Sequence, residues 1–341
     1  MIKLSQDIII KQLPEDFLVK EVPHLPIELS TYKKQDCITI LWVTKKGLTT
    51  FEVIDFLCFK LALDNRDVHC EGLKDEDGIT EQVMSITKIL SKSDIELINV
   101  KENHKSKTYI SISILGYAKT HVNEKNLHGN VFSVNLRNLN TEVVNQIYTK
   151  NQKPAEMAFL NYYDQQRFGL PGGPFLTHLI GKSIIQNRWD VAEEYYSKSG
   201  NQKIDQKNTK DKPTLKSINP AKLQFFLGAY DSYIWNNQLS EMIGSKQRLE
   251  IFSSHEVNTF NKLINQSIPL LLKSKGHSID SNYQINTIEK SRASIVFTTI
   301  FIEQPVTDTL NIDRYSIRVH FFLPKGSYAT MIIKQYLKLI V

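Results

Sequence analysis

Between Cys70 and Gln82 the chain reads CEGLKDEDGITEQ, with five acidic side chains and one lysine set around two glycines. Two readings fit this composition. As a surface turn, Asp77-Gly78 would supply a left-handed backbone and the charges would be solvated. As a reaction centre, Asp75 would be a nucleophile or base, kept ionised in a partly dehydrated site by a nearby cation. Lys74 is the adjacent candidate, although sequential side chains need not point the same way.

A second cluster lies downstream. NYYDQQRFG, Asn161 to Gly169, crowds three aromatics, an amide pair and an arginine into nine residues. Such a set can stack on a nucleobase, hydrogen-bond its edge and hold a phosphate. It can equally be an aromatic core segment with a polar outer face. HGNVFSVNLR (His128 to Arg137) and FFLPKGSYATM (Phe321 to Met331) are ambiguous singly: Gly129 and Gly326 fit turns beside strands, and His128 fits a structural role.

Other chemistries drop out. GKS at Gly181 to Ser183 has Leu176 five residues earlier, so the phosphate-loop pattern fails and the segment reads as helix. The patterns His-Glu-x-x-His, Gly-x-Ser-x-Gly and Gly-x-Gly-x-x-Gly do not occur, which removes the easy readings as zinc protease, α/β-hydrolase or dinucleotide enzyme. Cys37, Cys58 and Cys70 form no Cys-x-x-Cys pair, which argues against a disulfide framework and a structural zinc. A reducing cytoplasm is the expected compartment.

These residues need a scaffold. CITILWVTKKG predicts a strand alternating Ile38, Ile40 and Trp42 with Thr39, Leu41 and Val43; TTFEVIDFLCFKLAL predicts a helix capped at Thr49 or Thr50, with Phe51, Ile54, Cys58 and Leu61 on its core face. TYISISI and NVFSVNLR alternate as half-buried, antiparallel strands, with Ile110, Ile112 and Ile114 in one and Phe132, Val134 and Leu136 in the other. Near the end, Tyr315, Ile317, Val319 and Phe321 alternate with Arg318 and His320 before a Pro-Lys-Gly turn and a helix. The stretch Tyr196 to Pro220 is polar and reads as a long loop, followed by a helix with Leu223, Leu227, Tyr230 and Ile234 on its core face. Strand-rich ends around a helix-richer middle indicate an α+β protein with an insertion, and no internal repeat is present.

Bulk properties agree with a globular protein. At 341 residues the chain suffices for two domains or one large one, and 41% hydrophobic with 23% charged residues is ordinary soluble usage. The excess of 42 Lys plus Arg over 36 Asp plus Glu, a formal +6, is a mild bias toward polyanions. MIKLSQDIIIKQ lacks the continuous apolar run of a secretory signal, and no run approaches a bilayer span of ~20 residues.

Five segments, in this order, resemble the TruD family of tRNA pseudouridine synthases. KQLPEDFLV (Lys11 to Val19) is similar to its N-terminal motif, GLKDEDGITEQ to its nucleophile motif, and LHGNVFSVNLR to its Gly-Asn-x-Phe strand. NYYDQQRFG is similar to its Asn-Tyr-Phe-Gly-x-Gln-Arg-Phe-Gly signature and LPKGSYATM to its C-terminal motif, while THLIGKSII and GAYDSYIWN also resemble family segments. The chain departs from the pattern at Glu76 and Gly78, where the family commonly has a basic residue and an alanine, and at Tyr163-Asp164, where it has Phe-Gly.

The resemblance implies a pseudouridine synthase catalytic fold with a central antiparallel sheet, formed by residues 1–179 and 296–341, with a TRUD domain inserted at 180–295. It implies that Asp75 attacks or deprotonates the ribose of a uridine, by family resemblance uridine 13 in the D arm, with no cofactor or metal. Lys74 would stabilise the carboxylate or a phosphate, Asn161 would orient the nucleotide, and Phe17, Tyr163 and Tyr328 would wall the base. Lys11 and Arg167 would be supporting or phosphate contacts. The expected partner is tRNA, with other RNAs open, and the expected state is a monomer without membrane association. Two other readings compete: a noncatalytic RNA-binding or RNA-folding protein on this scaffold, motivated by Glu76 and Asp164, and a nucleotide-dependent enzyme using the polar middle as a lid.

Overall fold

The computed structural model describes residues 2–4, 7–24, 37–99, 107–150, 156–169, 173–199, 215, 220–243, 269–280 and 282–340. In chain order its strands are β1 (Ile2–Lys3), β2 (Ile9–Ile10), β3 (Phe17–Pro23), β4 (Ile38–Lys46), β5 (Val68–Cys70), β6 (Ile79–Ile86), β7 (Tyr109–Ala118), β8 (Leu127–Leu139), β9 (Glu156–Leu160), β10 (Leu271–Ile279), β11 (Ile285–Ala293), β12 (Ile295–Thr299), β13 (Phe301–Ile302), β14 (Val306–Thr307) and β15 (Tyr315–Pro324). The helices are α1 (Thr50–Leu61), α2 (Lys92–Ile98), α3 (Thr141–Lys150), α4 (Thr177–Ile185), α5 (Trp189–Lys198), α6 (Pro220–Ile243) and α7 (Ala329–Ile340). The chain forms two compact units: Met1–Met157 with Phe297–Gly326 and Ile340–Val341, and Ala158–Val296 with Ser327–Leu339.

The first unit is built on one large sheet whose central order is β7-β4-β6-β3-β8-β15. Neighbours are antiparallel except β3 and β6, which run parallel through Leu18–Ile79, Val19–Thr80 and Lys20–Glu81. The sheet is therefore mixed rather than purely antiparallel. The α1 helix starts at Thr49, whose hydroxyl accepts from Glu52 N while the Glu52 carboxylate accepts from Thr49 N, a reciprocal cap. It buries Val53, Leu57, Cys58 and Leu61 against Leu41, Val43, Met84, Ile86 and Ile112 of the sheet. Phe51, expected on that face, is 61% exposed, because the buried stripe runs from Val53 in steps of four and leaves position 51 facing outward.

Glycines in this unit mark close approach as much as turns. Gly326 has φ +81 at the turn after β15, as its sequence context indicates. Gly78, in contrast, has no left-handed backbone: a Cβ there would lie 2.4 Å from the Phe17 carbonyl oxygen, so the residue lets β3 and β6 pair tightly. Gly129 is likewise no turn residue. It sits within β8 opposite Pro324, where a Cβ would meet Leu323 O at 2.2 Å and the Phe322 ring at 2.5 Å.

In the second unit α4, α5 and α6 share a core of Ile180, Ile184, Ala192, Tyr196, Leu223, Phe226 and Leu227, and β10 pairs antiparallel with β11. Gly181 of the GKS tripeptide lies mid-helix, where a Cβ would come 2.0 Å from Phe226 O. Its role is close packing of α4 against α6. The polar stretch Tyr196 to Pro220 is not all loop, since Tyr196–Lys198 complete α5 with Tyr196 fully buried, and Pro220 opens α6. Residues 200–214 and 216–219 lie outside the described residues. Along α6, Leu223 and Leu227 are buried as their spacing predicts, but Ile234 is exposed and the buried stripe continues instead through Trp235 and Leu239.

Candidate active site

Asp75 stands on the loop joining β5 to β6, strands paired through Cys70–Met84 and Val68–Ile86. The loop turns at Gly72, φ +70, and is anchored by its main chain: Lys74 N donates to Thr50 Oγ1 at 2.9 Å. A fully buried ammonium completes the anchor. Lys45 Nζ donates to the carbonyls of Asp75 (2.6 Å), Leu48 (2.7 Å) and Lys74 (3.3 Å), which matches the three donors an ammonium carries. Burial lowers the Lys45 pKa to about 8, against the opposing pull of Asp75 and Glu76.

The cation on the Asp75 carboxylate is Lys11, not the neighbouring Lys74. Lys11 Nζ lies 2.9 Å from Asp75 Oδ1, with the lysine side chain 2% and the aspartate side chain 28% exposed. Lys74 turns the other way, pairing with Glu21 Oε2 at 3.3 Å and donating to Glu71 O. Burial raises the Glu21 pKa, the Lys74 charge opposing it. Lys11 adopts φ +57, a backbone state that a non-glycine residue adopts at some cost. The next turn holds it there: Asp16, fully buried, accepts from Leu13 N (2.8 Å), Arg137 Nε (2.7 Å) and Asn135 Nδ2 (3.2 Å), while Arg137 also binds Asp308. Phe17, expected to wall a base, is 1% exposed; its ring lies 4.0 Å beneath the Lys11 ammonium and packs edge-on against Phe132. It supports the cation from the core.

The second unit holds the other group of candidates. Asn161 is buried, donating from Nδ2 to Ala293 O and accepting at Oδ1 from Arg292 Nη2, both at 2.9 Å. Its carbonyl also receives Arg292 Nη2 (3.0 Å) and Trp235 Nε1 (3.3 Å). The side chain it fixes, Arg292, lies 3.9 Å over the Tyr163 ring, and Tyr163 meets Tyr328 edge-on at 5.6 Å. Asn236 pins the Tyr163 main chain through both its N–H and its carbonyl, at 2.9 Å each. Burial raises the Tyr328 phenol pKa, opposed by the charges of Arg167 and Arg292. Arg167 rests over Phe225 and donates from Nε to Ser232 Oγ at 3.3 Å. Asp164, a departure from the family signature, is buried: it accepts from Gln165 N (2.7 Å), Lys334 Nζ (2.6 Å) and the Thr330 hydroxyl. Its charge is neutralised within the fold instead of facing a polyanion.

Sequence reading missed Lys45, Asp16, Arg137 and Arg292. Lys45 carried a legible signal, a lysine in phase with Leu41 and Val43 on the inward side of β4. Arg292 carried none, because its importance comes from contacts with residues more than fifty positions away. Among the described residues no group of three or more His, Cys, Asp or Glu could hold a metal, and no helix is long and apolar enough to cross a membrane.

One pH effect follows from the anchor. Above about pH 8 Lys45 becomes a neutral amine with only two N–H donors for three carbonyls, so the Asp75 loop loses a tether. Stability moves the opposite way on this group's account, because between about pH 8 and the ordinary lysine value the unfolded chain binds the extra proton and deprotonation relieves the cost of a buried charge. Single-turnover rates are therefore expected to fall with a midpoint near pH 8 without a parallel drop in melting temperature, and a rate flat to pH 9.5 would contradict the anchoring role.

Comparison with known proteins places the chain in a family. Residues 5–211 match the family model of tRNA pseudouridine synthase D (TruD). A tRNA pseudouridine synthase D of Sulfurimonas denitrificans is 25% identical over 98% of this chain and 96% of its own, and that of Helicobacter hepaticus is 26% identical over 72% of this chain and 54% of its own. In fold, the chain is similar to a crystal structure from Methanosarcina mazei described as TruD, with TM-score 0.56 and 20% identity over 96% of this chain and 93% of that one. With more than half its length matched by that family model, the chain belongs to the TruD family of tRNA pseudouridine synthases, which are isomerases.

Proposed function

We propose that the chain converts uridine 13 in the D arm of tRNA to pseudouridine, with Asp75 as the catalytic group. The observation that carries this is the Asp75 carboxylate: partly exposed on a loop whose backbone is tethered by buried Lys45, and paired with buried Lys11. A surface turn has no use for two buried ammonium groups. The reaction balances internally: Asp75 bonds to C1' or takes a ribose proton as the C1'–N1 bond breaks, uracil turns, C5 bonds to C1' as the aspartyl bond breaks or the proton returns to the ribose, C5 loses its proton and N1 gains one. Neither an oxidant nor a group donor enters, so the reaction calls for no cofactor.

Lys11 and Phe17 act by holding the Asp75 carboxylate in place, and Lys74 by fixing the loop through Glu21. In the second unit Asn161 orients the nucleotide through Arg292, Tyr163 and Tyr328 stack on a base, and Arg167 contacts phosphate. A stacked uridine hides its C1' and C5, so it must leave the helix at a cost of about a few kcal/mol, which stacking on aromatic rings offsets. The catalytic domain comprises 1–179 and 296–341, with the TRUD insertion at 180–295, and the protein acts as a cytoplasmic monomer on tRNA. The test is incubation of purified protein with an unmodified tRNA transcript and chemical mapping of pseudouridine. A new signal at position 13 is expected; a signal confined to another uridine overturns the positional assignment, and tight binding without product at any uridine overturns catalysis.

A further inference from the structure

Beside the signature motif, the second unit carries an aromatic group that the proposed chemistry leaves unused. Tyr233 of α6 is 40% exposed, yet its ring is held rigidly: it stacks on His178 of α4 at 4.7 Å and 20°, and Phe168 meets both rings edge-on, at 6.4 Å and 5.4 Å. His178 serves as a plane and not as a proton donor or acceptor at a ligand. Its Nδ1 is buried with no hydrogen-bond partner among the described residues, and burial, reinforced by the Lys182 charge, lowers its pKa and favours the neutral ring.

A fixed cation adjoins these rings. Arg167 immediately precedes Phe168, and its Nε bonds Ser232, the neighbour of Tyr233. Its guanidinium lies so close to α6 that a Cβ at Gly228 would come within 2.6 Å of Nη2. The guanidinium rests over Phe225, and its charge also acts on Tyr328 and Arg292, so the same arginine bears on the Tyr163–Tyr328 group. Stacked rings and an arginine within one motif supply the two kinds of contact, base stacking and phosphate pairing, that a single strand uses. An apolar protein partner would gain nothing from the cation, whereas RNA uses both features.

We propose that Tyr233, backed by His178 and Phe168, is a stacking platform for a nucleobase flanking the one taken by Tyr163 and Tyr328. This rests on the reading of the chain as a tRNA uridine isomerase. Tyr233 is then a positioning residue: it sets how the strand is held and takes no part in bond making.

The test is a scan of tRNA transcripts carrying one abasic nucleotide at each position flanking the target. For the wild type, removal of one particular base is expected to raise KM about tenfold, within the range of a single base–aromatic stack. Tyr233→Ala should raise KM on intact RNA by a similar factor, leave kcat at saturation unchanged, and lose sensitivity to that abasic position alone. Tyr233→Phe should behave as wild type. Tyr233→Leu keeps apolar bulk without a π face and should follow alanine, which separates stacking from loss of packing. Equal sensitivity of wild type and Tyr233→Ala at every abasic position overturns the platform, as does a fall in kcat with KM unchanged. Anisotropy binding of the same transcripts reads the platform independently of turnover, so absence of pseudouridine would defeat the isomerase reading while binding still decides this one.

Discussion

Asp75→Asn is expected to lower the single-turnover rate of pseudouridine formation by about 10⁴-fold or more, the scale on which loss of a reacting side chain acts. The amide is nearly isosteric and can still accept from Lys11 at 2.9 Å, so the fold and RNA affinity should remain close to wild type, with a lowered melting temperature because the buried Lys11 ammonium loses its counter-charge. The decisive comparison is rate against binding measured on one preparation. Turnover within tenfold of wild type would remove Asp75 from the chemistry; equal loss of binding and rate would make it a structural residue.

Lys11→Met carries the second largest expected effect. The ammonium is almost wholly buried, lies against the Phe17 ring and touches one oxygen of Asp75. Replacing it with an uncharged chain of similar length leaves the carboxylate without its cation, and kcat should fall by about 10²–10³, as on removal of a preorganised donor. Stability should drop by about 1–3 kcal/mol, less than for a deeply buried orphan because the aspartate side chain is 28% exposed and water can reach it. Single-turnover rates and thermal melts of Lys11→Met and the double variant Lys11→Met/Asp75→Asn check this. With the carboxylate already neutralised, removing Lys11 should cost markedly less stability, and full additivity would show that the two side chains do not act as a pair.

Local pattern made much of this legible. Period-two alternation located β4, β7, β8 and β15, and the threonine pair before the apolar run put the α1 cap at Thr49 or Thr50, of which the structure uses Thr49. Asp75, Tyr163 and Arg167 stand out in sequence because unusual side chains crowd together there, whereas Tyr328 enters only through the family resemblance. What pattern could not supply was direction. Lys74 and Asp75 are neighbours in sequence, yet Lys74 turns to Glu21, and the acid finds its cation 64 residues away. Gly78 and Gly181 resemble turn or phosphate-loop glycines until the backbones opposite them, Phe17 and Phe226, are known. Asp164 looks like a misplaced charge until α7 supplies Thr330 and Lys334. Each of these depends on a long-range neighbour, which spacing along one segment cannot encode.

Among the described residues, the single parallel ladder in the large sheet reaches further than its length implies. Only Leu18–Ile79, Val19–Thr80 and Lys20–Glu81 register the strand that follows Lys11 with the strand that follows Asp75. Alignment of acid and ammonium is thus inherited from strand bookkeeping a few residues downstream, so fraying of those three rungs would detune the carboxylate while every side chain of the site remained chemically intact.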